Sequence, residues 1–221
     1  MGGTRTSGDR RSPGARGRID KRQAILDAAF TVFAREGYAQ AGVDVIAAEA
    51  GVAKATVYNH FRDKENLLRE AVAASADQAM AENMAVVGRL STEDGDLRAR
   101  MEDVGLRLLR CYCDERSWAL RRLLSGEINQ FPDLLDIVHG HAVDRVTEAL
   151  ADRMARLTVA GALRARDPLV AAEQFVALLT GPAETRSRLG TREVPDAELR
   201  AVARAAVDTF LQAFGAETTD R

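Results

Sequence analysis

The stretch Val43–Leu68, VDVIAAEAGVAKATVYNHFRDKENLL, constrains this chain more than any other. Val43, Ile46, Ala47 and Ala50 recur at spacings of three and four, which gives a short helix over Val43–Ala50 one inward face. Gly51 follows at once, where a residue free to take positive φ ends a helix. Val52 fills the turn, and Val57 and Phe61 carry the buried side along a second short helix, Lys54–Phe61. Two helices joined by a three- or four-residue turn containing glycine form a helix-turn-helix. Lys54, Thr56, Tyr58, Asn59 and His60 fall on the outward face of the second helix, and their charge, hydroxyls, amide and imidazole suit phosphates and base edges. A plain helical hairpin in an all-α protein would show the same spacing, so the pattern alone leaves both readings open.

A longer resemblance bears on that choice. Ile25 to Leu68, carried by AILDAAFTVFAREGY, VDVIAAEAGVAKATVYNHF and KENLL, resembles the N-terminal domain of the TetR family of transcriptional repressors. The resemblance implies DNA-facing positions at Lys54, Ala55, Thr56, Tyr58, Asn59, His60 and Lys64. Lys54 and Thr56 would reach base edges, with Lys54 donating to a guanine, and Ala55 would touch a thymine methyl. Tyr58, Asn59, His60 and Lys64 would hold phosphates, although His60 also fits a capping or packing role. The chain departs from the family where many relatives carry Thr or Ser, having Ala41-Gly42 and Ala53 before the two motif helices. Each lost hydroxyl N-cap costs roughly 1 kcal/mol against Ala and less against Gly.

With 221 residues the chain has room for one or two domains and a sizeable core. Hydrophobic residues at 46% with only 5% aromatics and 5 prolines point to an all-α globular protein rich in Ala, Leu, Arg and Glu. The net charge of −2 rules out a polycation, yet residues 1–22 hold seven basic groups against two acidic ones, a net of +5. Such an arm fits a neighbour of a phosphate-binding domain, and equally a solubilising tail. Residues 1–18 show no periodicity and are expected to be a disordered basic arm, with 19–66 the DNA-binding domain and 67–216 a larger helical domain for effector binding and dimerisation. No apolar signal segment or membrane span is visible, and two cysteines fit a reducing, cytoplasmic setting.

Helices are expected from about Asp20 to Arg35, with Asp20 as cap and Tyr38 packing back, and from Asp63 towards Met84 or Val87, a connector between the domains. STEDGD, Ser91–Asp96, reads as a linker or turn. Helices follow over Leu97–Cys113, Ser117–Gln130, Asp133–Leu157, Pro168–Gly181 with a break or kink at Pro182, Ala183–Leu189, and Asp196–Phe214, before a frayed tail. The Pro168 helix is apolar on nearly every side, which implies burial against two surfaces. RLLSGEINQFPDL and GALRARDPLVAAEQFVALLTG resemble the AefR-like branch of the family, which implies a small, apolar effector and a homodimer formed by the last two helices. Candidate ligand-binding residues are Tyr112, Trp118, Glu127, Phe131, His139 and Phe175; candidate dimer residues are Phe175, Leu179, Leu199, Val202, Val207 and Phe210.

Cys111-x-Cys113 and His139-x-His141 have one-residue gaps, shorter than zinc sites use, and positions i and i+2 of a helix face apart, so no metal is expected. No G-x-S-x-G, P-loop or H-E-x-x-H motif occurs, so neither enzyme nor cofactor is expected. The expected function is a ligand-responsive regulator, a repressor that binds a palindromic operator on double-stranded DNA as a homodimer and is released by its effector. The competing reading is a helical dimeric sensor or scaffold with weak, nonspecific DNA binding.

Overall fold

The computed structural model describes residues 13–91 and 95–216, with side chains from residue 20 onward. The first twelve residues of the basic arm, the middle of the STEDGD turn and the last five residues lie outside the described residues. Among the described residues the regular elements are helices, apart from one isolated bridge between Leu163 and Gly215, and the protein divides into two compact units, one ending at Ala71 and one starting at Val72. That division falls five residues further along the chain than 66/67, inside one helix.

The first unit starts with α1, Pro13–Gln40, interrupted at Gly37 (φ 76°, ψ 164°). Residues 13–18, expected in an unstructured arm, are therefore helical, and Asp20 lies inside α1 and not at its cap. Pro13 presets the backbone angle of a first helical turn, a start signal further upstream than Asp20. Ile25, Ala28, Ala29, Val32 and Phe33 form the buried stripe the spacing predicts, and Tyr38 stacks back on Phe33 with ring centroids 6.0 Å apart. Arg22 lies over the Phe61 ring at 5.4 Å and pairs with Glu70, so this cation of the arm is tied into the unit's own packing.

Helices α2 (Val43–Glu49) and α3 (Lys54–His60) are joined by a tight turn. The N–H of Gly51 bonds to the Ala48 carbonyl and that of Val52 to Ala47, the paired bonds of a Schellman motif, with Gly51 at φ 66°. Neither helix has a side-chain N-cap, since Gly42 and Ala53 offer no oxygen. Helices this short are unstable alone. Burial of Ile46, Val57 and Phe61 holds them, each worth about 1.5–3 kcal/mol.

Helix α4, Lys64–Val87, starts at Asp63, which accepts the Asn66 N–H at 2.7 Å, and runs unbroken from the first unit into the second. The second unit holds α5 (Leu97–Tyr112), α6 (Glu115–Glu127), α7 (Asp133–Val138), α8 (Asp144–Val159), α9 (Pro168–Ser187) and α10 (Asp196–Phe214). Asp96, Asp114 and Asp167 cap α5, α6 and α9 through their carboxylates. A π-helical stretch, His139–Val143, joins α7 to α8 within the long helix expected there. Helix α9 continues through Pro182, so of the break or kink expected there no break occurs; Gly181 before it has no Cβ to clash with the proline ring. The core lies between α5, α8, α9 and α10, with Phe175 and Phe210 edge to face at 5.2 Å. Gly105 lets α9 approach α5, since a Cβ there would lie 3.2 Å from Leu179 Cδ2.

Beyond α9, Gly190 (φ 78°) presses its backbone onto Trp118, and an added Cβ would lie 2.4 Å from the indole Cγ. Gly161 has a similar φ of 76° with open space around it. Gly190→Ala is therefore expected to lose about 3 kcal/mol or more, from left-handed strain plus overpacking, and Gly161→Ala only about 1–2 kcal/mol. Urea unfolding followed by the fluorescence of Trp118, the only tryptophan, measures both. Equal losses would contradict the packing account.

Candidate DNA-contacting helix and ligand cavity

On α3 the one fully buried side chain is Val57, which turns the opposite face outward. Lys54, Ala55, Tyr58 and Asn59 are exposed, and Thr56 and His60 half-buried. Tyr58, at 47% exposure, is a large ring left in solvent by the free chain. Lys64 opens α4 instead; its Nζ lies 4.5 Å above the Tyr38 ring and 3.5 Å from the Ala39 carbonyl oxygen. The seven positions named from the sequence thus cluster on α3 and the start of α4.

Lys54 carries a feature the motif did not announce. Its ammonium donates to Asp44 Oδ2 at 2.8 Å, and this hydrogen bond, with the charge of Asp44, holds its pKa above the ordinary lysine value. Asp44 sits in the first turn of α2, where the helix dipole favours a carboxylate. The first cation of α3 is therefore partly neutralised before any DNA arrives.

The second unit encloses a cavity of about 320 Å³, within the size range of small-molecule sites. Its walls are mostly aliphatic. Ala76, Ala79 and Asn83 enter from α4, Leu108, Cys111 and Tyr112 from α5, Leu120, Arg121 and Leu124 from α6, and Val176 and Thr180 from α9. Val138, Ala142, Val143 and Val146 come from α7, the π-helical stretch and α8. Burial pushes the Tyr112 phenol and both thiols up, so all three stay neutral near pH 7. A smaller polar cavity lined by Ser75, Glu82, Asp114 and Arg116 adjoins it through shared Ala79, Ser117 and Leu120.

Of the ligand-binding residues named from the sequence, Tyr112 lines this cavity. Trp118 is buried behind it against Gly190, and Phe175 is packed on Phe210 in the core. Glu127 and Phe131 lie outside the lining, and His139 is exposed, 3.7 Å from Asp144. His141 pairs with Asp77 at 2.9 Å, and the cysteines and histidines form no metal-holding cluster among the described residues. The six candidate dimer residues named from α9 and α10, Phe175, Leu179, Leu199, Val202, Val207 and Phe210, are all buried in the chain's own core, at most 5% exposed. Their apolar periodicity marks the intramolecular face. The outward faces carry Leu169 and Val170 on α9 and Ala197, Ala201, Ala205, Thr209 and Ala213 on α10.

Comparison with known proteins accords with this arrangement. Residues 25–71 match the family described as bacterial regulatory proteins, tetR family, and residues 99–216 match the AefR-like transcriptional repressor, C-terminal domain. A crystal structure from Mesorhizobium loti assigned to the TetR family is 30% identical, with a TM-score of 0.82 over 93% of this chain and 100% of that one. SmeT, the repressor of the Stenotrophomonas maltophilia multidrug efflux pump SmeDEF, shares the fold at 22% identity, with a TM-score of 0.60 over 90% of this chain and 94% of that one. The fatty acid metabolism regulator protein of Bacillus subtilis is 48% identical over 48 residues, 22% of this chain and a quarter (25%) of that protein. Among the described residues no helix is long and apolar enough to cross a membrane. The chain belongs to the TetR family of helix-turn-helix transcriptional regulators, DNA-binding proteins and not enzymes, with an AefR-like C-terminal domain.

Proposed function

We propose that this protein is a cytoplasmic homodimeric repressor that places α3 of each subunit in the major groove of a palindromic operator and is released by a small, largely apolar effector. The carrying observation is that α4 contributes buried Leu67, Leu68 and Ala71 to the DNA-binding unit and, on the same unbroken helix, Ala76, Ala79 and Asn83 to the cavity wall. An effector in the cavity therefore touches the helix that anchors α3. It shifts the equilibrium only if it binds the released state more tightly than the DNA-bound state.

Lys54 and Thr56 meet base edges at the start of α3, Ala55 meets a thymine methyl, and Tyr58, Asn59, His60 and Lys64 meet phosphates. A two-fold dimer sets half-sites about one helical turn, roughly 34–36 Å, apart or a multiple of it. The dimer forms through the outward faces of α9 and α10. Ala197, Ala201, Ala205, Thr209 and Ala213 recur every four residues and allow close helix approach, with Leu169 and Val170 as apolar contacts.

Fluorescence anisotropy on duplexes from upstream of the gene, at two salt concentrations and with excess nonspecific competitor, tests the operator claim. Binding that survives competitor is expected; binding that competitor abolishes would favour a sensor or scaffold that holds DNA only nonspecifically. Asp44→Asn, which frees Lys54, is expected to tighten binding to arbitrary duplex about 2–5-fold at low salt and steepen the salt dependence by about one phosphate contact. Unchanged affinity and slope would show that Lys54 does not reach the backbone or the bases. Ala205→Arg should yield monomers in sedimentation and lower operator affinity by about tenfold or more; a dimer that persists would move the interface elsewhere.

A further inference from the structure

The main cavity contains one charge. Of the side chains lining it only Arg121 is ionised near neutral pH. Four of the other polar side chains lining it already have partners in the chain. Thr147 Oγ donates to the Val143 carbonyl at 2.9 Å, Thr180 Oγ to Val176 at 3.0 Å, Ser117 Oγ to Asp114 at 2.9 Å and Asn83 Nδ2 to Ala79 at 2.9 Å.

Arg121 is held, but not neutralised. Its guanidinium carbon lies 3.9 Å from the ring centroids of both Tyr112 and Trp118, in the corner formed by two rings set 75° apart. Nη2 donates to the Tyr112 carbonyl, while Nε is buried and has no acceptor. Among the described residues no carboxylate pairs with it. Asp114 is engaged by Ser117 through N and Oγ, and Glu184, on the exposed side of α9, acts only at longer range. A cation drawn out of water without a counter-ion is costly, and aromatic faces offset only part of that cost.

We propose that Arg121 anchors an anion, and that the ligand of this cavity is a small, largely apolar molecule ending in a carboxylate. The proposal rests on the cavity being the effector site and specifies what enters it. A planar monoanion matches a cavity-lining guanidinium that has no carboxylate partner among the described residues. A phosphate monoester would bring additional charge for which the aliphatic walls hold no second cation. The apolar part of the ligand would lie along Leu120, Val146 and Val176.

Three probes with one skeleton separate the possibilities: 4-phenylbutyrate, 4-phenylbutan-1-ol and 4-phenylbutylamine. Trp118, beside Arg121, reports their binding to the full-length protein by fluorescence. The carboxylate is expected to bind about tenfold or more tightly than the alcohol, with the ammonium weakest. Arg121→Met should remove the preference while leaving the alcohol within about twofold, and Arg121→Lys should keep part of it. An alcohol bound as tightly as the acid by the wild-type protein overturns anion anchoring and leaves an apolar effector cavity standing, a result that needs no variant to fold. If none of the three binds below roughly 5 mM, the cavity itself is not a site for such molecules and the proposal falls with it.

Discussion

One continuous helix, α4, is the constraint on which the molecule depends. Its 24 residues span about 36 Å at 1.5 Å per residue. Its start, capped by Asp63, is packed by Leu67 and Leu68, and its middle forms a wall of the cavity. The proposed regulation rests on this continuity, since Ala76–Asn83 and Lys64–Ala71 belong to the same helix. In this account regulation needs no separate relay, only two packings of the cavity wall that favour different positions of α4.

The DNA-binding unit shows how little local propensity contributes once packing is available. Helices α2 and α3 have seven residues each and no side-chain cap, against carboxylate caps on α5, α6 and α9. What holds them is the turn at Gly51 and the burial of Ile46, Val57 and Phe61. The outward face of α3 is thereby left to function, and its first cation is moderated by Asp44. An exposed pair of this kind contributes little stability. Within the proposed function, its effect is on how strongly α3 attracts DNA.

The helix-turn-helix was legible because it combines a three-and-four apolar spacing with a glycine at the one turn that needs positive φ. The bounds of α10, the Asp63 cap and the return of Tyr38 onto Phe33 were legible for the same local reasons. The burial of the six candidate dimer residues in the chain's own core was not. Apolar periodicity marks the face a helix buries in its own core, as Phe175, Val207 and Phe210 do, whereas a helix–helix interface can use small residues such as Ala201 and Ala205 that carry no hydrophobic signal. Of the candidate ligand residues Tyr112 lines the cavity, whereas Trp118 and Phe175 do not, because large aromatics fill space and a cavity lies where Ala, Val and Thr leave it open. The charge of Arg121 and the Asp44–Lys54 pair depend on contacts across turns and helices that sequence spacing does not encode.

The most direct test of the central claim is amide hydrogen exchange on the full-length protein, free and bound to a duplex from upstream of its gene. The account predicts slowed exchange over Lys54–His60 together with altered exchange over Ala76–Asn83, where α4 lines the cavity. Protection at Lys54–His60 with unchanged exchange at Ala76–Asn83 would contradict it, since DNA and cavity would then not be linked through α4.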